Sequence, residues 1–234
     1  MTYLELCTRF HQYARVGNGP AGTFPTTLPT VATQGIDWEI TQFIKIAWND
    51  IQVMRPQLKC FQQEFSITLT NGLATVTLPS TINDLWPSSE LQIGMPNAKL
   101  VNSTNEYKGS AYWVQPENWF GSSRHLTPGI GNPQLFTVRN RTIYLSHKPN
   151  VTGLKLVVWG VPVPQQLTVA SDSPAIYNSL PYLPAEYHDL IVYKAIEQYC
   201  FTRSDQSPLY AMSQKQFAQR YYQLLARYGP SVQI

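Results

Sequence analysis

The spacing of apolar residues changes period twice along this chain, and that change limits the folds open to it. Helical spacing runs through residues 3–54, strict alternation begins near residue 64, and helical spacing returns at residue 183 and holds to residue 228. A run patterned at 3.6 residues cannot bury one face as a strand, nor a run patterned at two as a helix. The order predicts an α+β fold: a four-helix body from both chain ends, with an inserted antiparallel β-sandwich or open barrel. The expected division is a helical body of residues 1–60 and 183–234, and a β-rich insert with a connector loop over residues 61–182.

Residues 183–200, LPAEYHDLIVYKAIEQYC, carry the clearest helix signals. Pro184 suits the first helical position, and Glu186 and Asp189 set negative charge beside the positive end of the helix dipole. Ile191, Val192, Ala195, Ile196, Tyr199 and Cys200 fill one arc, broad enough that the helix must pack on more than one side. Glu186, His188 and Asp189 suggest an acid–base cluster. At about 100° per residue, however, His188 lies far round the helix from both, so the three read as a solvated first turn.

Thr2 and Glu5 form a capping box ahead of Tyr3, Leu6, Cys7, Phe10, Tyr13 and Ala14, which recur at helical spacing. Residues 21–35 make a threonine- and proline-rich loop of the kind that binds something or lies along a neighbouring subunit. Asp37 can cap a second helix with a stripe of Ile40, Phe43, Ile44, Ala47, Ile51 and Met54, flanked by Trp38 and Trp48. Arg55-Pro56 ends it. The last helix starts at Ser207-Pro208, turns Tyr210, Phe217, Tyr221, Leu224, Leu225 and Tyr228 to one side, and stops at Gly229-Pro230.

In the middle, Phe65, Ile67 and Leu69 alternate with Ser66, Thr68 and Thr70, and residues 73–78 return after Asn71-Gly72. The spacing predicts a hairpin on a type I′ turn. Further strands are expected at 100–101, 110–114, 135–139, 142–146 and 154–160, the third and fourth joined as a hairpin around Arg139-Asn140-Arg141. Gly129-Ile130-Gly131 reads as a turn, being too short for a phosphate loop. Residues 170–182 form an irregular connector back to the helices.

Charged residues make up 13% of the 234 positions, about half the usual share, which suits a chain that hides surface in an assembly. Net charge is only +3, so no strongly basic nucleic-acid-binding domain stands out. Lys99 to Lys155 nevertheless holds seven Lys or Arg against two Glu, and Arg124, Arg139 and Arg141 within it are candidates to face DNA. Cys7, Cys60 and Cys200 are too few and too far apart for a disulfide framework or zinc site. The start lacks an export signal, no apolar run reaches about 18 residues, and neither export nor membrane contact is expected. Asn102, Asn140 and Asn150 head chance glycosylation sequons.

Catalytic patterns are missing. His11, His125, His147 and His188 lack metal-ligand spacing, and there is no G-x-S-x-G, Walker, HExxH or dinucleotide motif. The expectation is a protein that is not an enzyme, with no catalytic residue, metal or cofactor. A cryptic tail-associated hydrolase would need a carboxylate pair such as Glu106 and Glu117. Trp113, Trp119 and Phe120 read either as β-core or as a contact patch for a protein or a host glycan.

MTYLELCTRF at the start, IDWEI and IAWNDIQ in the second helix, and LPAEYHDLIVYKA at residues 183–195 resemble the head–tail connector (adaptor) proteins of tailed bacteriophages, and the layout is similar to tail tubular protein A-like neck proteins. The resemblance covers residues 1–56 and 183–228 well and the β insert in outline. It implies a homo-oligomeric ring of twelve subunits in the virion neck, assembled in the bacterial host cytoplasm. The portal protein lies above, tail or nozzle proteins below, and phage DNA passes through the lumen without sequence specificity. It implies no active site.

Overall fold

The computed structural model describes residues 1–16, 35–54, 58–85, 98–121, 128–164, 166–167, 183–203 and 207–229. The loop over 21–34, the Arg55-Pro56 stop, the connector over 170–182 and the tail after Gly229 lie outside them. The chain is α+β and divides into two compact units, one of Met1–Phe61 with Pro164–Pro230, the other of Gln62–Val163.

The first unit is helical. Its members are α1 (Tyr3–Ala14), α2 (Ile36–Met54), α4 (Asp189–Phe201) and α5 (Ser207–Tyr228), and α4 packs on each of the other three. The capping box forms as the sequence demands: the Thr2 hydroxyl accepts from Glu5 N–H at 3.1 Å, and Glu5 reaches back to Thr2 N–H at 2.7 Å. Leu190, Ile191, Val192, Ala195 and Ile196 of α4 are wholly buried, on faces turned to Phe10, Ile44, Trp48 and Leu224. Each of the leucine, isoleucine and valine side chains contributes about 1.5–3 kcal/mol of transfer free energy, so the wide arc of α4 joins the unit together.

The start of α4 departs from expectation. Instead of one helix from Pro184, a 3-10 turn over Ala185–Tyr187 precedes it, and Pro184 is extended at ψ 144°. Leu183, Tyr187 and Leu190 all reach the core on either side of or within this turn.

The second unit is built on a curled mixed sheet forming a half-barrel, nearer to the expected open barrel than to the sandwich, and it departs from both in not being wholly antiparallel. Its strands are β1 (Gln63–Thr68), β2 (Thr75–Thr77), β3 (Ile82–Leu85), β4 (Ala98–Val101), β5 (Tyr107–Trp113), β6 (Gly129–Ile130), β7 (Leu135–Arg139), β8 (Thr142–Leu145), β9 (His147–Lys148) and β10 (Lys155–Pro162). The large sheet runs β1-β10-β4-β5-β7-β8-β2. Gly160 pairs with Gln63 on one edge and Leu85 on the other, so β3 continues the line of β4 along β10. The β5–β7 and β6–β9 pairs are parallel. A fifth helix, α3 (Pro116–Gly121), links β5 to the β6–β7 region, where only strands were expected. Pro116 followed by Glu117 is the helix-start signal that marks it.

The two hairpin expectations part company. Arg139 pairs with Thr142 across Asn140 and Arg141, both at positive φ (50° and 59°), which is the type I′ pattern. At Asn71-Gly72 only Gly72 is at positive φ, 79°, and β1 pairs with β10 while β2 pairs with β8. Leu73 N–H bonds to Thr70 O at 3.2 Å, so the segment is a β-turn, but one that forms a corner of the sheet whose two arms leave for different partners. Leu69 N–H bonds to Leu154 O on one side of this corner and Leu145 N–H to Ala74 O on the other. The core beneath gathers Ile67, Leu100, Phe136, Ile143, Leu156 and Val158.

Candidate functional site

Most of the groups that could have made an active site are engaged structurally. Asn102 Oδ1 accepts from the N–H groups of Thr104 and Glu106, and Asn102 Nδ2 donates to Glu106 at 2.8 Å. Hydrogen bonds from Lys108 and Asn102 hold the Glu106 carboxyl below the usual range, whereas the proton donor of a glycoside hydrolase needs a raised value. Glu117 is exposed in the first turn of α3. Ser146 and His147 meet at 2.9 Å, but Ser146 Oγ already accepts from the N–H groups of Gln134 and Leu135 and so donates to His147 Nδ1. That hydroxyl is a strand clamp, with no lone pair directed outward.

At the start of α4 the reading of a solvated turn fails. His188 is buried. Its Nε2 faces Leu183 O at 2.7 Å and its Nδ1 meets the α-amino group of Met1, so the ring donates to the carbonyl and accepts from the ammonium. Desolvation holds its pKa below 6.5. Asp189 pairs with Arg9 of α1, and Glu186 with Arg227 of α5 at 2.9 Å. The three groups diverge, as their spacing predicts: Asp189 leads to α1, Glu186 to α5, and His188 to the Met1 ammonium and Leu183 O. Glu39–Arg203 at 3.1 Å and Asp50–Gln198 at 2.6 Å add further ties within the unit.

None of the three cysteines is in a disulfide; burial pushes the Cys7 thiol far up and Cys60 up to about 11, so neither of these two is an activated thiolate. Among the described residues no group of three His, Cys, Asp or Glu could hold a metal, and no helix is long and apolar enough to cross a membrane.

Trp119 is buried under α3, while Trp113 and Phe120 are half-buried. Trp113 stands edge-on to Phe136 at 5.5 Å and Phe120 edge-on to Tyr144 at 5.1 Å, so these rings pack against the sheet's own aromatics. A hollow of about 220 Å³ lies beside Trp119, Phe120 and Tyr144. Arg139 lies over the Phe120 ring at 4.9 Å. Arg141 donates from Nη2 to Pro79 O and Ile82 O, both at 3.0 Å. Arg124 is outside the described residues.

What the molecule does expose is apolar surface. A groove of about 320 Å³ in the helical unit lies between α2, the end of α4 and the start of α5, with Phe43, Ile46, Phe201 and Tyr210 in its walls. Phe201 is 85% exposed and Ile46 50%. In the β unit, Ile130 is 79% exposed, Leu73 53% and Val151 50%. Sequence periodicity finds buried faces and passes over these residues, because Ile46 falls just outside the stripe of α2, Phe201 ends α4, Ile130 lies in a two-residue strand, and Leu73 and Val151 lie in loops. Such surfaces are made for contact rather than for chemistry.

Comparison with curated proteins finds no match. The family model described as SU10 adaptor protein matches residues 1–233, essentially the whole chain, and the chain therefore belongs to the SU10 adaptor protein family, whose role in the phage particle is that of a structural adaptor.

Proposed function

We propose that this adaptor is a head–tail connector: a ring of identical subunits, twelve in number, seated in the virion neck between portal and tail or nozzle proteins, with DNA passing through its lumen. The observation that supports it most is the family match along residues 1–233. The exposed apolar groove and loops agree with it, since ring formation and docking on two partners would cover surface that a monomer leaves in water. Assembly in the host cytoplasm requires nothing of the chain beyond folding and self-association.

In this proposal Arg139, exposed at the end of β7, is a residue that can face DNA. Arg141 is exposed too, but its guanidinium already holds two backbone carbonyls. Electron cryomicroscopy of the assembled particle tests the proposal. The expected outcome is a ring of this chain between portal and tail, with contacts to both. A particle in which the chain lies outside the neck, or a density of single isolated copies, would overturn it.

A further inference from the structure

Two apolar surfaces are exposed on this chain, one a cluster of side chains at one end of the β unit and one a groove in the helical unit. The cluster is built from three separate segments. Gly72 N–H bonds to Pro149 O at 2.8 Å, Ile130 pairs with Lys148, and Gly131 N–H bonds to Lys148 O at 2.9 Å. Leu73, Ile130 and Val151, all at least half exposed, are thereby brought to one end of the β unit around Lys148-Pro149. The loops carry no Asp or Glu over residues 69–75, 128–133 and 147–153, and Lys148 is exposed among them. The recessed surface is the groove with Phe43, Ile46, Phe201 and Tyr210 in its walls. Its one charged wall residue is Glu197, which meets Lys194 through Oε2 at 3.2 Å.

We infer that the loop tip of one copy docks into the helical groove of the next. The chemistry matches on both counts. Apolar side chains meet an apolar cleft, and the tip's lysine approaches the groove's carboxylate, an arrangement that fixes register and discourages wrong partners. The contact joins two different patches, so each docked copy still offers a free tip or a free groove; such head-to-tail contacts close into rings when the rotation allows. A tip-to-tip contact would instead set Lys148 against Lys148 and stop at two copies. The inference rests on the ring proposed above and names the surfaces through which neighbours would meet.

Cysteine cross-linking separates the two ideas. Ile130→Cys and Ile46→Cys are placed in separate full-length chains, both with Cys60→Ser, since Cys60 is a free and half-buried thiol. The chains are mixed with portal rings, their assembly is followed by mass photometry, and they are then oxidised. The expected result is a disulfide joining the two variants, at least ten-fold more abundant in the mixture than in either alone. Oligomers that form without this disulfide overturn the docking and leave the ring standing, as does a predominance of Ile130→Cys homodimers. Absence of any oligomer overturns the ring and the docking with it. A chain carrying both cysteines that closes on itself, with no intermolecular product, assigns the contact to a single copy and also overturns the inference. Separately, Ile130→Asp should reduce the assembled fraction at least ten-fold with an unchanged urea midpoint, because its side chain is 79% exposed in the folded chain.

Discussion

Arg141 shows how a residue's role can differ from what its charge suggests. It stands at φ 59° in a two-residue turn, a conformation that costs a branched or long side chain about 1 kcal/mol, and its guanidinium then ties the chain before and within β3 through Pro79 O and Ile82 O. Its sequence neighbourhood revealed a basic hairpin and nothing of these two distant carbonyls. His188 was legible as a helix-start histidine but not as a buried one, because its partners, Leu183 O and the Met1 ammonium, come from the chain ahead of the 3-10 turn and from α1's end of the chain. Its behaviour with pH follows. Around it stand the Met1 ammonium, Glu186 paired to Arg227, and Asp189 paired to Arg9. Because its folded pKa is held below 6.5, the unfolded chain takes up the proton first on acidification, so stability is complete above pH 6.5 and declines as pH falls through that value. Urea midpoints taken on either side of pH 6.5 should show this decline in the native protein and a smaller one in His188→Gln; equal declines would remove His188 as its source.

Among the elements, those whose signals are local were readable. The Thr2–Glu5 box, the apolar arc of α4 and the Asn140-Arg141 hairpin each depend on residues a few positions apart, and the structure places each where the sequence puts it. The β1–β2 hairpin was not, because Asn71-Gly72 turns the chain without compelling its two arms to pair: Phe65 finds Val158 and Ile67 finds Leu156 across β10, a pairing no local pattern encodes. The parallel β5–β7 pair and the short α3 between them were hidden for the same reason. The energetic weight of α4 can be measured directly. Ile196 is wholly buried, and Ile196→Ala should lower unfolding free energy by about 2–5 kcal/mol through lost transfer energy and a residual cavity. A urea titration that moves by less than about 1 kcal/mol would show that the site collapses around the smaller side chain.

For the whole molecule, membership in a phage adaptor family accords with the engagement of polar groups in holding helices together and the exposure of apolar ones. Low charge was visible in composition; which apolar residues stayed outside was not, since exposure is settled only when every other face has found its partner. If Arg139 faces DNA, then Arg139→Glu should impair DNA retention in particles by about ten-fold, while ring assembly on portals is unchanged, since losing a phosphate contact acts on DNA alone. Equal loss of both would place Arg139 at a subunit contact. The central position of α4 also sets an order in time. The sheet needs β10 to receive β1 and β4, and all of it lies before α4 in the chain. During synthesis the β unit can therefore finish while α1 and α2 still hold bare apolar faces toward a helix not yet made. A copy without α4 has no groove, and in the assembly proposed above such a copy would offer its neighbour no seat.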